Sequence, residues 1–453
     1  MQEQIEDYVR SLGLDAYLVG GAVRDELLGR DSKDADFLVP GVDYDGLKRA
    51  LAPHGRVEDL EVAGQLVGVR FFPHDRKIRG LAPAGIEFAP PRAERSTGPG
   101  RHDFVIVSDP SISVEDDMAR RDFTVNAVAR RLDTGEYVDP FGGRDDLARG
   151  VLRTVSPQSF AEDPLRLVRG LRLVSQLDLE PDEQTLQQMR EEADSVQLVS
   201  GERIGGGLHA DGLGELSKLL LGTEPAKALR IARDTGVLVE LLPEFDPAIG
   251  YDQHSERQYL PLDEHIFAVV QAAADARESL PVRLAALFHD LGKPEADATG
   301  ADHAEIAARM ASAELRRLRY PTRLRTHVRR IVRNHAFRLD EVDELHARRF
   351  LRTYGDALAR DLAALKQADL RGKNVPAEEH ERAQRFRELL QAESASPHRL
   401  ADLAIDGSDL LALGFAPGPA LGRTLESLLD AVVEDPALNE RERLSERAKA
   451  LLP

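Results

Sequence analysis

LVGGAVRDELLGRDSKDADFLV, residues 18–39, compresses two strand patterns, a double-glycine turn and a short helix into one segment. AYLVG (16–20) reads as a strand that ends at Gly20-Gly21. AVRDELLG follows as a helix with apolar Leu27 and Leu28, closed by Gly29. DADFLV (34–39) is then a second strand with an acidic entry. Because side chains alternate along a strand, Asp34 and Asp36 point to one face. Paired carboxylates on one face suit Mg²⁺, a hard cation that takes oxygen ligands and phosphate oxygens. Gly20 and Gly21 at a strand-to-helix turn let backbone N–H groups approach a phosphate chain. The bland alternative is a solvated Asp-x-Asp loop, and the glycines and strand pattern weigh against it.

Outward from this segment, QLVGVRFF (65–72) and GIEFA (85–89) read as further strands. Glu87, inside the second, is a candidate third acid for two-metal phosphoryl transfer. Residues 90–119 are rich in Pro, Gly and charge and read as a mobile loop. RDFTVNAVARRL (121–132) reads as helical, followed by a hairpin at Thr134-Gly135 into YVDPFGG (137–143). From about residue 151 the apolar spacing turns helical, with breaks at Gly222 and Gly236. GERIGGGLHADGLGEL (201–216) is a Gly-rich loop or hinge between helices. The expectation is an α+β chain. A small mixed-sheet head occupies 1–150, and the rest is an all-α body divided at 151–250, 251–375 and 376–453.

Two other constellations carry chemistry. In EDPLR (162–166), Asp163 and Arg166 lie one helical turn apart, and Glu162 stands at i−4 from Arg166. An acceptor beside a guanidinium donor can read a base edge. Asp163 before Pro164 is equally a helix start signal. Farther on, His265, the adjacent pair His289-Asp290 and Asp369 follow in the order H…HD…D, with His303 and His335 between them. Imidazole and carboxylate ligands suit Mn²⁺, Ni²⁺, Fe²⁺ or Mg²⁺, and His303 with His335 can complete a second metal position. The alternative is an HD block kept only for its shape.

Composition narrows the field. At 453 residues the chain is long enough for about three domains. Cysteine is absent, which excludes disulfides, thiolate zinc sites, iron–sulfur clusters and Cys nucleophiles. Tryptophan is absent and aromatics are 5 %, so wide stacking platforms for single-stranded RNA are not expected as the main binding device. No apolar run approaches the ~18 residues of a membrane span. MQEQIEDYVR (1–10) lacks a basic-then-apolar leader, so a cytoplasmic protein is expected. Net charge is −19, unlike a general nucleic-acid binder. Yet residues 316–338 hold nine arginines and no acid. That run is either a phosphate-contacting surface or a solvated helix face.

Taken together, residues 18–39, RRDFTVNAVA (120–129), VDPFGG (138–143), EDPLR and LAIDGSDLLALGFAPGPALG (403–422) resemble the ordered motifs of bacterial class II tRNA nucleotidyltransferases. These are the CCA-adding enzymes of the polymerase-β superfamily, and the resemblance runs with gaps over nearly the whole chain. It implies template-independent addition of CCA to the tRNA acceptor arm from CTP and ATP. Asp34, Asp36 and Glu87 would be catalytic, the first two holding Mg²⁺. Gly20, Gly21, Arg24 and Arg121 would steady the triphosphate, and Asp122 and Asn126 would contact the ribose. Glu162, Asp163, Arg166 and Arg169 would complete the nucleotide site, with Asp163 and Arg166 reading the base. The H…HD…D residues His265, His289, Asp290 and Asp369 resemble metal-dependent phosphohydrolases. That resemblance implies 2′,3′-cyclic phosphodiesterase, 2′-nucleotidase or phosphatase activity in 3′-end repair. Enzymes adding only CC or only A, and poly(A) polymerase, remain the alternatives. The family's neck stretch departs here, because SGERI is followed by GGGLHADGLGEL.

Overall fold

The computed structural model describes residues 2–30, 35–62, 65–96, 104–206 and 213–452. Asp34 lies outside the described residues. The chain forms two compact units, Met1–Pro243 and Glu244–Pro453.

Unit 1 is built on a seven-stranded mixed sheet, as the strand patterns of residues 16–89 predict. Its strands are β1 (Tyr17–Val19), β2 (Asp36–Leu38), β3 (Gly55–Val62), β4 (Gln65–Pro73) and β5 (Ile86–Ala89). β6 (Arg92–Ser96) and β7 (Phe104–Ser108) form a separate hairpin, and β8 (Ala129–Arg131) and β9 (Tyr137–Val138) complete the sheet. The order is β3-β4-β5-β2-β1-β8-β9. Only the β2–β5 pair is parallel, and it sets Asp36 opposite Glu87. One face of the sheet is apolar. Leu18, Phe37, Val69, Phe71, Ile86 and Phe88 pack there with Leu47 and Leu51 of the helix Tyr44–Leu51. Period two then sends Asp36 and Glu87 to the other face, beside a smaller cluster of Val19, Leu38, Met118, Ala127 and Ala129.

Connectivity gathers the special residues at one end of the sheet. β1 runs into Gly20, and antiparallel β2 starts beside that end. β8 pairs Ala129 with Val19, so the segment before β8 arrives there too.

Two expectations fail in this region. Residues 90–119 are not simply loop. They hold the β6–β7 hairpin and the helix Val114–Ala119. FVIVS is a β-branched and aromatic run, and Ser113 with Asp116 forms a capping box. Residues 121–132 are not a helix. They form a 3₁₀ turn, Thr124–Asn126, that leads into β8. There the β-branched Val125 and Val128 and the pairing with β1 outweigh the helical apolar spacing.

After the head, unit 1 is helical apart from the short pair β10 (Val151–Leu152) and β11 (Glu180–Pro181). The buried helix Leu165–Leu177 is its axis, and the region around Gly222 and Gly236 holds three helices, Glu215–Leu220, Pro225–Asp234 and Val237–Leu241. Unit 2 is helical throughout its described residues. The helices Leu262–Asp275, Leu280–Phe288, Thr322–Asn334 and Asp356–Arg371 pack about Phe267, Phe288, Val328 and Leu362. A C-terminal group closes on Leu410, Phe415, Leu428, Val432 and Leu444. Among the described residues no helix is long and apolar enough to cross a membrane.

Phe88 is fully buried, stacked on Phe37 at 5.4 Å and met edge-on by Phe71 at 6.0 Å. Phe88→Ala should destabilise the head by about 3–5 kcal/mol. Hydrogen exchange reads this as faster exchange of the β2 and β5 amides, and unchanged rates would show that the aromatic stack does not hold the sheet.

Candidate functional site

A cavity of about 640 Å³ opens in unit 1 at the sheet end where β1 and β2 meet. It brings together most of the residues singled out in the head: Gly20, Gly21, Arg24, Asp36, Arg121, Asp122, Asn126, Asp163, Arg166 and Arg169. Nine cations line it against four carboxylates, in a chain of net charge −19. This concentrates positive potential where a polyanion would enter.

Gly20 has φ +67°, and a Cβ there would stand 2.9 Å from Arg121 Nη1. Both facts require glycine at this position. Arg121 is aimed by the fully buried Asp117, which accepts from Arg121 Nη2 at 3.1 Å and from Arg120 Nη2 at 2.7 Å. Arg24 comes from the helix Gly21–Leu27 and donates to Asn126 Oδ1 at 2.7 Å. Asn126 donates in turn to Asp122 Oδ1 at 3.0 Å. The 3₁₀ turn therefore joins the two residues that a helix was expected to align. Asp122 Oδ2 accepts from Arg169 Nε at 2.9 Å. Burial alone would raise the Asp122 carboxyl, but Arg169, the Asn126 amide and Arg166 hold it well below the usual carboxylate range.

The EDPLR residues are held by partners of their own. Arg166 donates to Glu162 at 3.0 Å, as the i, i+4 spacing predicts, and to the Ser159 and Arg120 carbonyls. Pro164, not Asp163, is the N-cap of Leu165–Leu177. Asp163 still accepts from Leu165 N at 3.2 Å, and it takes both Nη groups of Arg203 at 3.1 and 3.0 Å. Glu87 is ion-paired with Arg70 of β4 at 2.5 Å. It neighbours Asp36 across the strands but does not line the cavity among the described residues.

Sequence reasoning missed Arg203, Arg172 and Glu215. Arg172 pairs with Glu215 at 2.7 Å. Arg203 and Glu215 flank the Gly-rich stretch, and the signal available was SGERI and GEL on either side of it.

Unit 2 assembles the histidines. Phe288 ends its helix and His289 is the C-cap, so His289 and Asp290 leave the helix together and converge. His265 Nε2 lies 3.3 Å from His289 Nε2, from Asp290 Oδ2 and from Asp369 Oδ1. His303 and His335 Nε2 lie 3.6 and 3.2 Å from Asp290 Oδ1. Each inner ring is oriented through Nδ1. His265 faces the Gly372 carbonyl at 3.1 Å, His289 that of Ala286 at 2.8 Å, and His335 that of Val332 at 2.7 Å. This aims the Nε2 atoms inward, the usual support for a metal-binding imidazole. A Cβ on Gly372 would meet His265 Nδ1 at 2.9 Å.

Asp290 Oδ2 stands 2.5 Å from Lys293 Nζ and 3.3 Å from the Nε2 atoms of His265 and His289, and Asp369 Oδ1 lies 3.3 and 3.6 Å from the same two Nε2 atoms. Burial pushes the His289 imidazole down, but Asp290 and Asp369 outweigh it and lift its pKa to about 9. The converging imidazole and carboxylate donors fit a divalent cation.

The poly A polymerase head domain family matches residues 16–153, and "tRNA nucleotidyltransferase domain 2 putative" matches 299–448. "Probable RNA and SrmB-binding site of polymerase A" matches 178–249. A multifunctional CCA protein of Leptothrix cholodnii is 34 % identical over 444 residues, 93 % of this chain and 96 % of that one. The chain belongs to the multifunctional CCA protein family of tRNA nucleotidyltransferases. The multifunctional CCA protein of Azoarcus sp. is 38 % identical over 292 residues, 63 % of this chain. The chain spans 64 % of that relative's length, less than two thirds. The CCA-adding enzyme of Bacillus stearothermophilus, solved in complex with CTP, shares the fold with a TM-score of 0.69 at 24 % identity. That match covers 99 % of this chain and 95 % of that one. Nucleotidyltransferases of this type use divalent metals.

Removing the Asp122 carboxylate leaves Arg169 partly buried with no partner on that side. Asp122→Ala should therefore destabilise unit 1 by about 3–5 kcal/mol. Denaturant unfolding followed by circular dichroism measures the loss. A change below about 1 kcal/mol would show that the pair is not structural.

Proposed function

We propose that the protein adds C, C and A to the 3′ end of tRNA from CTP and ATP without a nucleic-acid template. The observation that carries this reading is that one cation-rich cavity joins Gly20-Gly21, Asp36, the Asp122, Asn126 and Arg169 network, and the EDPLR pair. Asp34 and Asp36 would hold Mg²⁺, which supplies charge neutralisation for the reacting triphosphate. Glu87 is proposed as the third acid, released from Arg70 when the site loads. Arg24 and Arg121 bind the triphosphate, and Asp122 and Asn126 position the ribose. Asp163 and Arg166 present an acceptor and a donor to the base edge, with Glu162 bracing Arg166. A mismatched base leaves such groups unpaired, which is how a protein surface selects C and A. The tRNA 3′-hydroxyl attacks the α-phosphorus, a new O–P bond forms, and pyrophosphate carries off the electron pair of the broken bond. The acceptor arm is bound by shape and backbone.

Incubation with Mg²⁺, CTP and ATP and transcripts lacking CCA, ending in C or ending in CC, reads this directly as product length. Completion to CCA with no further growth is expected. A stop at CC, or addition of A alone to a CC end, moves the reading to a split-function enzyme, and a long A tail moves it to poly(A) polymerase. Asp36→Asn should lower the rate at least 100-fold. Arg166→Ala should lower the preference for CTP and ATP over UTP and GTP at least tenfold, and an unchanged preference would remove Arg166 from the templating role.

We propose that the His and Asp cluster of unit 2 is a second, hydrolytic centre acting on phosphoesters of the RNA 3′ end. His265, His289, Asp290 and Asp369 form one ligand set. Asp290, His303 and His335 form another, with Asp290 common to both. A divalent ion there, Mn²⁺, Ni²⁺, Fe²⁺ or Mg²⁺, supplies Lewis acidity. Calorimetric titration with Mn²⁺ should show His335→Ala binding one ion fewer than the wild type and Asp290→Ala two fewer. Equal losses in the two variants would remove the second position. Hydrolysis of 2′,3′-cyclic AMP should disappear in Asp290→Ala, and persistence would sink the assignment.

A further inference from the structure

Beside Asp369, unit 2 contains a cavity of about 430 Å³, within the range of roughly 300–1,000 Å³ typical of small-molecule sites. Asp369 is shared. Its Oδ1 faces His265 and His289, while Lys373 Nζ reaches its Oδ2 at 2.6 Å. The cavity therefore adjoins the His and Asp cluster through Asp369.

Its walls carry five cations, Arg257, Arg338, Lys366, Lys373 and Arg382, and three carboxylates, Asp340, Asp369 and Glu379. Two of these are already partnered, Lys373 by Asp369 and Arg257 by Glu379 at 2.6 Å. Among the described residues, no carboxylate stands within ion-pair distance of Arg338, Lys366 or Arg382. With Asp369 and Glu379 paired to Lys373 and Arg257, the remaining lining sets three cations against Asp340, a net positive wall suited to an anion. Lys366 lies one helical turn before Asp369 on Asp356–Arg371, so both face the same way. Burial lowers the affinity of its amine for a proton, and its Nζ sits 4.9 Å from the centre of the Phe337 ring. Phe337 lines the cavity and is braced from behind by the buried Phe350 at 4.9 Å. A flat apolar wall beside a cluster of cations matches a base or ribose joined to a phosphate.

We propose that this cavity seats the terminal nucleotide of a phosphate ester, its phosphate drawn to Lys366, Arg338 and Arg382 and its nucleoside laid against Phe337 and Leu339. The proposal rests on the hydrolytic reading of the neighbouring cluster and gives that centre its substrate pocket. The same chemistry is offered by a free nucleotide and by an RNA end, and the two are separable.

Titration calorimetry on the full-length protein tests it, with 2′-AMP, adenosine and a short RNA ending in a 2′-phosphate as probes. The wild type should bind 2′-AMP at least about tenfold more tightly than adenosine. Lys366→Met and Arg338→Ala should each weaken 2′-AMP about tenfold, the loss of one charge-assisted contact, with bound-metal content unchanged. Arg338 is exposed, so its variant keeps the test independent of folding. Tighter binding of the RNA than of 2′-AMP, lost in the same variants, marks the RNA end as occupant, and equal or weaker binding marks the free nucleotide. Equal affinity for adenosine and 2′-AMP, or wild-type affinity in both variants, overturns the pocket. Hydrolysis of 2′,3′-cyclic AMP is followed in parallel. Binding that depends on Lys366 without hydrolysis keeps the pocket and removes the hydrolytic reading, whereas hydrolysis with binding insensitive to both variants does the reverse.

Discussion

The carboxylate of Asp122 is the tie on which unit 1 depends. It is buried at the end of the sheet, and it is bonded to Phe123 N, the Asn126 amide and the Arg169 guanidinium. Through Asn126 the tie reaches Arg24 on the first helix after Gly20, and through Arg169 it reaches the axial helix Leu165–Leu177. Sheet end, glycine turn and the EDPLR helix are thereby fixed around one cavity. A buried charge is tolerated only when it is bonded on all sides, so the network that excludes strain also sets the geometry of the site.

Unit 2 gathers its polar groups about a point instead. The Nε2 atoms of His265 and His289 face each other and the carboxylates of Asp290 and Asp369, which Lys293 and Lys373 meet from outside. Backbone carbonyls hold the rings so that they cannot turn away. Imidazoles oriented in this manner have the usual support of metal-binding rings.

Much of this was legible in the sequence, and the failures have specific causes. The strands around Gly20-Gly21, Asp36 and Glu87 are short and strictly patterned, so their faces could be read directly. The H…HD…D order located four groups that the fold does bring within bonding range. The segment 121–132 was misread because its apolar spacing is helical, whereas its conformation is imposed by pairing with β1, a contact remote in sequence. Arg203, Glu215 and Arg172 were invisible as site residues for a similar reason. Arg203 pairs with Asp163 and Arg172 with Glu215, each across tens of residues of sequence, and no local pattern records such a pairing. Residues 90–119 hid a hairpin because Pro and Gly beside it dominated the reading of FVIVS.

The head cavity draws eight of its nine cations from arginine. A guanidinium keeps its proton at every pH a cell meets, whereas an ammonium gives up its proton when desolvated. The head's positive field is in effect a permanent fixture, set by carbon skeleton and not by acidity. The cavity beside Asp369 in unit 2 mixes two lysines with three arginines. There burial lowers the affinity of the Lys366 amine for a proton, so the two cavities differ in how firmly their positive charge is held.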